Sequence, residues 1–170
     1  GTVTWRQHGP KRKPAMDNRN TYSMPAPWGG IILWEENGEL ARICPTIDSI
    51  QEPSPAPQAI ADVMQQLEAV LSVPQATSEE LRETLFGTKA FRKLPEFTRR
   101  VLDIVSRIEP GQWMSYSQVA QTAGNPAAAR AVGQALAHNP FPILIGCHRV
   151  CASAHLEGFD ILKPETFRPQ

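Results

Sequence analysis

The chain has 170 residues, enough for one domain or two small ones, and 41% of them are hydrophobic, which allows a buried core. No apolar run approaches the roughly 18 residues that a bilayer span needs, and the first residues lack the apolar core of a secretion signal, so membrane and secreted classes are set aside. Three cysteines (Cys44, Cys147 and Cys151) suit free thiols in a reducing compartment better than a disulfide framework.

The formal net charge is zero, but the charges are segregated. Residues 1–20 hold five basic and one acidic side chain, residues 21–87 two and ten, and residues 88–151 eight and three. The last block is suited to meet phosphates. The plainer reading is two differently solvated surfaces.

Residues 1–22 are polar, with Lys11, Arg12 and Lys13 in a row, and read as a mobile basic arm. Residues 30–45 read as a hairpin, with Glu36-Asn37-Gly38 as its turn. Residues 52–58 are too rich in proline for helix or ladder. Residues 58–72 then read as a helix, with Ile60, Val63, Met64, Leu67, Val70 and Leu71 on one stripe. Thr77 and Glu80 have capping-box spacing and open a short helix through Leu85, which Gly87 ends. Residues 95–109 make the clearest amphipathic helix, on Phe97, Val101, Ile104, Val105 and Ile108, stopped by Pro110-Gly111.

Ser115 and Gln118 form a second capping-box pattern and start a helix that runs to Ala123. Gly124 suits the left-handed position after a helix. Asn125 suits an N-cap and Pro126 a first helical residue, so a second helix is expected over 126–137. Two helices joined this tightly have the sequence appearance of a helix-turn-helix. In the second, Val132, Leu136 and Ala128 should face the core. Ala127, Arg130, Gln134 and Ala137 should face out, one long cation among small side chains that let the backbone approach a groove. The plainer alternative is an alanine-rich helix with an incidental arginine.

Asn139-Pro140 ends that helix. Residues 141–145 form an apolar run that should be buried and should deliver Cys147 to a partly enclosed place behind the second helix. Cys147 is followed by His148 and Arg149. A thiol attacks as thiolate, and nearby positive charge or an adjacent base favours that form. A reactive thiol behind a helix-turn-helix suggests a protein that reacts with DNA.

These residues resemble the O6-alkylguanine-DNA alkyltransferases, also called methylated-DNA–protein-cysteine methyltransferases. The matching stretch is roughly residues 95–150. It includes Pro110-Gly111, Ser115-Tyr116, Gly124-Asn125-Pro126, Ala129-Arg130-Ala131-Val132-Gly133, Asn139-Pro140, Pro142 and Cys147-His148-Arg149-Val150. The hairpin over 28–43 resembles the opening of that family's N-terminal domain.

The resemblance implies an α+β protein. Residues 23–87 would form a small antiparallel-sheet, RNase H-like α/β domain. Residues 88–170 would form a helical domain with a winged-helix-like helix-turn-helix, and residues 1–22 the arm. The implied function is DNA repair by direct, single-turnover transfer of an alkyl group from O6-alkylguanine to Cys147, after the base is flipped out of duplex DNA bound through the minor groove. His148 matches the base and Tyr116 the tyrosine that contacts the target phosphate. Arg130 matches the side chain that fills the vacated space. Ser115, Ala127, Ala129, Gln134 and Arg149 join Arg130 and Tyr116 as expected DNA contacts. Asn139 matches the hinge, and Pro142, Gly158 and Phe159 the pocket. The family needs no metal or organic cofactor. A monomer without membrane association is expected, cytoplasmic in a prokaryote and nuclear in a eukaryote.

The chain departs from the family pattern in two places. Gly146 stands where proline usually precedes the cysteine. After Val150 the usual double glycine is absent, Pro164 interrupts an expected helix, and the usual glutamate would fall beyond residue 170, with Glu157 and Glu165 as possible substitutes, neither of them assigned. A lesion-binding relative with weak or no transfer is the alternative, against which Cys147 itself argues. A third reading takes Cys147, Cys151 and His155, four apart, as metal ligands on one helical face.

Overall fold

The computed structural model describes residues 19–152 and 160–161. The Lys11–Lys13 triplet, His155, Glu157, Gly158, Phe159 and Glu165 lie outside the described residues. The architecture is mixed α/β, and the chain divides into two compact units, Gly1–Glu68 and Ala69–Gln170.

The first unit holds a three-stranded antiparallel sheet in chain order: β1 (Arg19–Ala26), β2 (Gly29–Glu36) and β3 (Glu39–Thr46). The hairpin read from Asn37-Gly38 is present. Both residues have positive φ, 53° and 84°, as a two-residue turn matched to strand twist requires. Ile31, Leu33 and Ile43 from its two strands are fully buried.

The expected arm is corrected at its end, because residues 19–22 belong to β1. Tyr22 donates to the buried Glu35 carboxylate at 3.1 Å. The proline-rich loop then fastens the strand: Ser23 N donates to Ser54 Oγ at 2.7 Å, and Ser54 N donates to Ser23 O at 2.8 Å. Polar residues thus form an edge strand through partners that no local pattern reveals.

Helix α1 (Gln58–Ser72) buries Ile60, Val63, Met64 and Leu67. The division between units falls within it, whereas the expected N-terminal domain ran from 23 to 87. The next helix, α2 (Glu79–Phe86), starts one residue later than expected: Ser78, not Thr77, is its N-cap and accepts from Leu81 N. A four-residue helix that the sequence did not announce, α3 (Lys89–Arg92), is capped by Thr88. Helix α4 (Glu96–Ser106) is shorter than its apolar period, and Ile108 is buried beyond its end.

A second sheet, of three short strands, was not expected in a region read as helical. Strand β4 (Gln112–Ser115) lies between β5 (Val150–Cys151) and β6 (Asp160–Ile161), parallel to both. Helices α5 (Tyr116–Thr122) and α6 (Ala129–Ala137) complete the unit. Among the described residues no helix is long and apolar enough to cross a membrane.

Candidate active site and nucleic-acid interface

The helix pair is built by local chemistry. Ser115 Oγ accepts from Gln118 N at 3.0 Å, and Gln118 Oε1 accepts from Ser115 N at 2.8 Å, a complete capping box at the start of α5. At the other end Gly124 has φ 89°. Gly124 N donates to Gln121 O and Asn125 N to Ala120 O, both at 3.0 Å, which satisfies the last carbonyls in a Schellman arrangement. Arg100 adds a cation there, donating to Ala123 O at 2.9 Å while pairing with Glu96.

The second helix begins later than expected. Asn125 is not its N-cap; its carbonyl accepts from Ala128 N at 3.0 Å, closing a separate turn around Pro126 and Ala127. Proline's fixed φ fits the second position of a turn as well as the first of a helix. Val132 and Ala135 are buried, while Leu136, expected in the core, is half-buried. Ala127, Arg130, Gln134 and Ala137 are all exposed, and Ala129 is half-exposed.

After α6 the chain is pinned by its own side chains. Asn139 Oδ1 accepts from Phe141 N at 2.9 Å, and Asn139 Nδ2 donates to Ile145 O at 3.2 Å. Phe141, Leu144 and Ile145 are buried as expected. Pro142 is half-exposed and forms a bridge with Ile145. Ile143 has φ 78°, which a β-branched residue rarely adopts.

A 3₁₀ turn, Cys147–Arg149, follows. Cys147 is half-exposed and its thiol is free. Gly146 has φ −77°, within the range proline would impose, so the backbone takes that conformation without the ring. A Cβ at Gly146 would lie 3.2 Å from His148 Cε1 and 3.3 Å from Arg149 Nη1, so glycine lets both side chains close over the turn. His148 as a residue is exposed, yet its ring lies against this backbone. Desolvation, and then the Arg149 charge, push it below its ordinary pKa of 6.5. That keeps the imidazole neutral, the form able to accept a proton.

Two expected DNA contacts are corrected. Arg149 is only 8% exposed, and its Nη1 donates to Ile108 O at 2.9 Å. Burial pulls its pKa down and Glu109 opposes the shift. It fastens the 3₁₀ turn to the end of α4 rather than presenting charge to a phosphate. Ser115 is 3% exposed, its hydroxyl engaged in the capping box. The helical face expected to line up metal ligands is absent between Cys147, in the 3₁₀ turn, and Cys151, in a strand, while His155 lies outside the described residues.

Strand pairing brings the two motifs together. Ser115 lies opposite Cys151 and Met114 opposite Val150, so the residue before Tyr116 adjoins the strand leaving the thiol turn. Tyr116 is half-exposed. Sequence reasoning missed Arg100 as a helix cap and Thr77, whose hydroxyl donates to Leu144 O. The Thr77-Ser78 pair was the only signal for the second: two adjacent hydroxyls where one cap suffices.

A family model described as the DNA binding domain of 6-O-methylguanine DNA methyltransferase matches residues 96–165. A methylated-DNA–protein-cysteine methyltransferase from Mycobacterium leprae is 35% identical over 143 residues, 81% of each chain. The chain belongs to the methylated-DNA–protein-cysteine methyltransferase family. Within that family the protein of the same name from Cricetulus griseus is 42% identical over 102 residues, covering 59% of this chain and 48% of its own. The chain thus spans about half the length of the mammalian family members it matches. The solved structure of Mycobacterium tuberculosis OGT in complex with DNA aligns with a TM-score of 0.57 and 26% identity over 78% of each chain.

Proposed function

We propose that this chain repairs DNA by moving an alkyl group from O6-alkylguanine in duplex DNA to Cys147, once per molecule. The observation that carries the reading is the half-exposed Cys147 thiol, in a turn with the neutral-leaning His148 imidazole and directly after the loop that Asn139 ties to the helix pair.

In this scheme the exposed face of α6 meets the minor groove. Ala127 in the preceding turn and Ala129 allow close approach, Gln134 offers a polar contact, and Arg130 fills the space left by the flipped base. Phosphate contacts fix position without reading sequence, and flipping exposes the alkyl carbon. Tyr116 contacts the target phosphate, and its hydroxyl is available to the leaving oxygen. Pro142, with Gly158 and Phe159, lines the base pocket, and Asn139 is the hinge. Ser115 and Arg149 serve the fold. The protein acts as a monomer, its first unit RNase H-like and its second winged-helix-like.

The chemistry is one displacement. His148 accepts the thiol proton, directly or through water. Cys147 Sγ forms a bond to the alkyl carbon as the bond from that carbon to guanine O6 breaks. The released guanine takes up a proton, so the net transfer is alkyl to sulfur and hydrogen to guanine. The thioether has no facile route back, which limits each chain to one event. Mixed with excess duplex carrying O6-methylguanine, the protein should restore one guanine per chain and stop. Continued turnover, or binding without restoration, would reject this reading; the second result would favour a lesion-binding protein.

A further inference from the structure

We infer that Thr77 is a positioning residue for the Cys147 turn, acting through the carbonyl of Leu144; this rests on the reading of Cys147 as the alkyl acceptor. Ser78 caps α2 and so leaves the neighbouring Thr77 hydroxyl free for another partner. That partner is Leu144 O, across 67 residues of sequence within the same unit. Both residues are buried, Thr77 at 7% and Leu144 at 4% exposure.

The strut is held from both sides. Arg82, itself 9% exposed, donates to Thr77 O at 2.7 Å and pairs with Glu79, fixing the Thr77 backbone. Leu144 follows Ile143, whose φ of 78° is strained for a β-branched side chain. Such a conformation persists only where its surroundings over-determine it. Thr77 holds Leu144 O and Asn139 holds Ile145 O, so two side chains grip consecutive carbonyls next to the strained residue. Cys147 N in turn donates to Ile145 O at 2.8 Å, so the thiol's placement is referred to this gripped segment. Without the hydroxyl, Leu144 O would be buried without this donor, and the strained backbone would have one restraint fewer.

The test uses the full chain with Thr77→Val, which keeps shape and removes the hydroxyl, and Thr77→Ser, which keeps the hydroxyl. In Thr77→Val, single-turnover transfer should slow by about tenfold at saturating DNA, with DNA affinity unchanged because α6 is untouched. Hydrogen exchange at the Ile145 and Cys147 amides should quicken by about tenfold relative to amides in α4. Thr77→Ser should restore both. If Thr77→Val does not fold, Thr77→Ala against Thr77→Ser isolates the same hydroxyl. Wild-type exchange and transfer rates in the hydroxyl-free variant, or equal loss in the serine variant, would overturn the inference. If the wild type transfers nothing, the functional reading fails, while the exchange measurement still decides whether Thr77 holds the turn.

Discussion

The imidazole of His148 sets a pH dependence whose sign follows from its surroundings. Desolvation and then Arg149 depress its pKa, so on acidification the imidazole becomes half protonated below the ordinary value of 6.5. Transfer limited by this base should fall on acidification with a midpoint below 6.5; a midpoint above 6.5 in the single-turnover profile would count against it. Linkage gives the matching stability effect. The unfolded chain takes up the proton first, so stability should drop as pH falls below 6.5 and be insensitive to this group above it. Arg130 offers a cleaner separation of roles. It is exposed, so Arg130→Ala should change unfolding free energy by no more than about 0.5 kcal/mol. Transfer from duplex DNA should nonetheless fall by about tenfold or more, since unstacking a base costs a few kcal/mol. Transfer from a free O6-alkylguanine base, which needs no flipping, should be unchanged. Equal losses on both substrates would remove Arg130 from the flipping step.

At the scale of elements, the turn between α5 and α6 is the feature most exposed to a single substitution. A Cβ at Gly124 meets only Arg100 Nη1 at 3.9 Å, so space is available, but φ 89° is costly for an L side chain. Gly124→Ala should therefore destabilise by about 1–2 kcal/mol in urea unfolding. Ser115→Ala removes one half of the capping box and should cost about 1 kcal/mol. These two devices were legible in the sequence because each acts within a few residues. The Asn37-Gly38 hairpin and the stripe of α1 were legible for the same reason. Elements held by distant partners were not. Strand β1 depends on Ser54, β4 on strands that close only after Arg149, and the start of α6 on a turn that Pro126 serves as readily as a helix. Thr77 matched a cap by spacing, while its hydroxyl went to Leu144.

On the scale of the whole chain, the charge blocks did not mark the division into units. The acidic stretch runs to Gly87, yet the Thr77–Leu144 bond ties the beginning of α2 to the segment leading to Cys147. The motif from Ser115 to Val150 points to the chemistry proposed for Cys147, but not to the burial of Arg149 as an anchor; a guanidinium in a sequence looks the same whether it faces a phosphate or a carbonyl. The central claim is that Cys147 itself takes the alkyl group. It is tested most directly by intact mass after incubation with duplex DNA carrying O6-methylguanine. The wild type should gain one methyl group, located to the peptide containing Cys147, and Cys147→Ser should gain none. An unchanged wild-type mass, or the same gain in the serine variant, would contradict it.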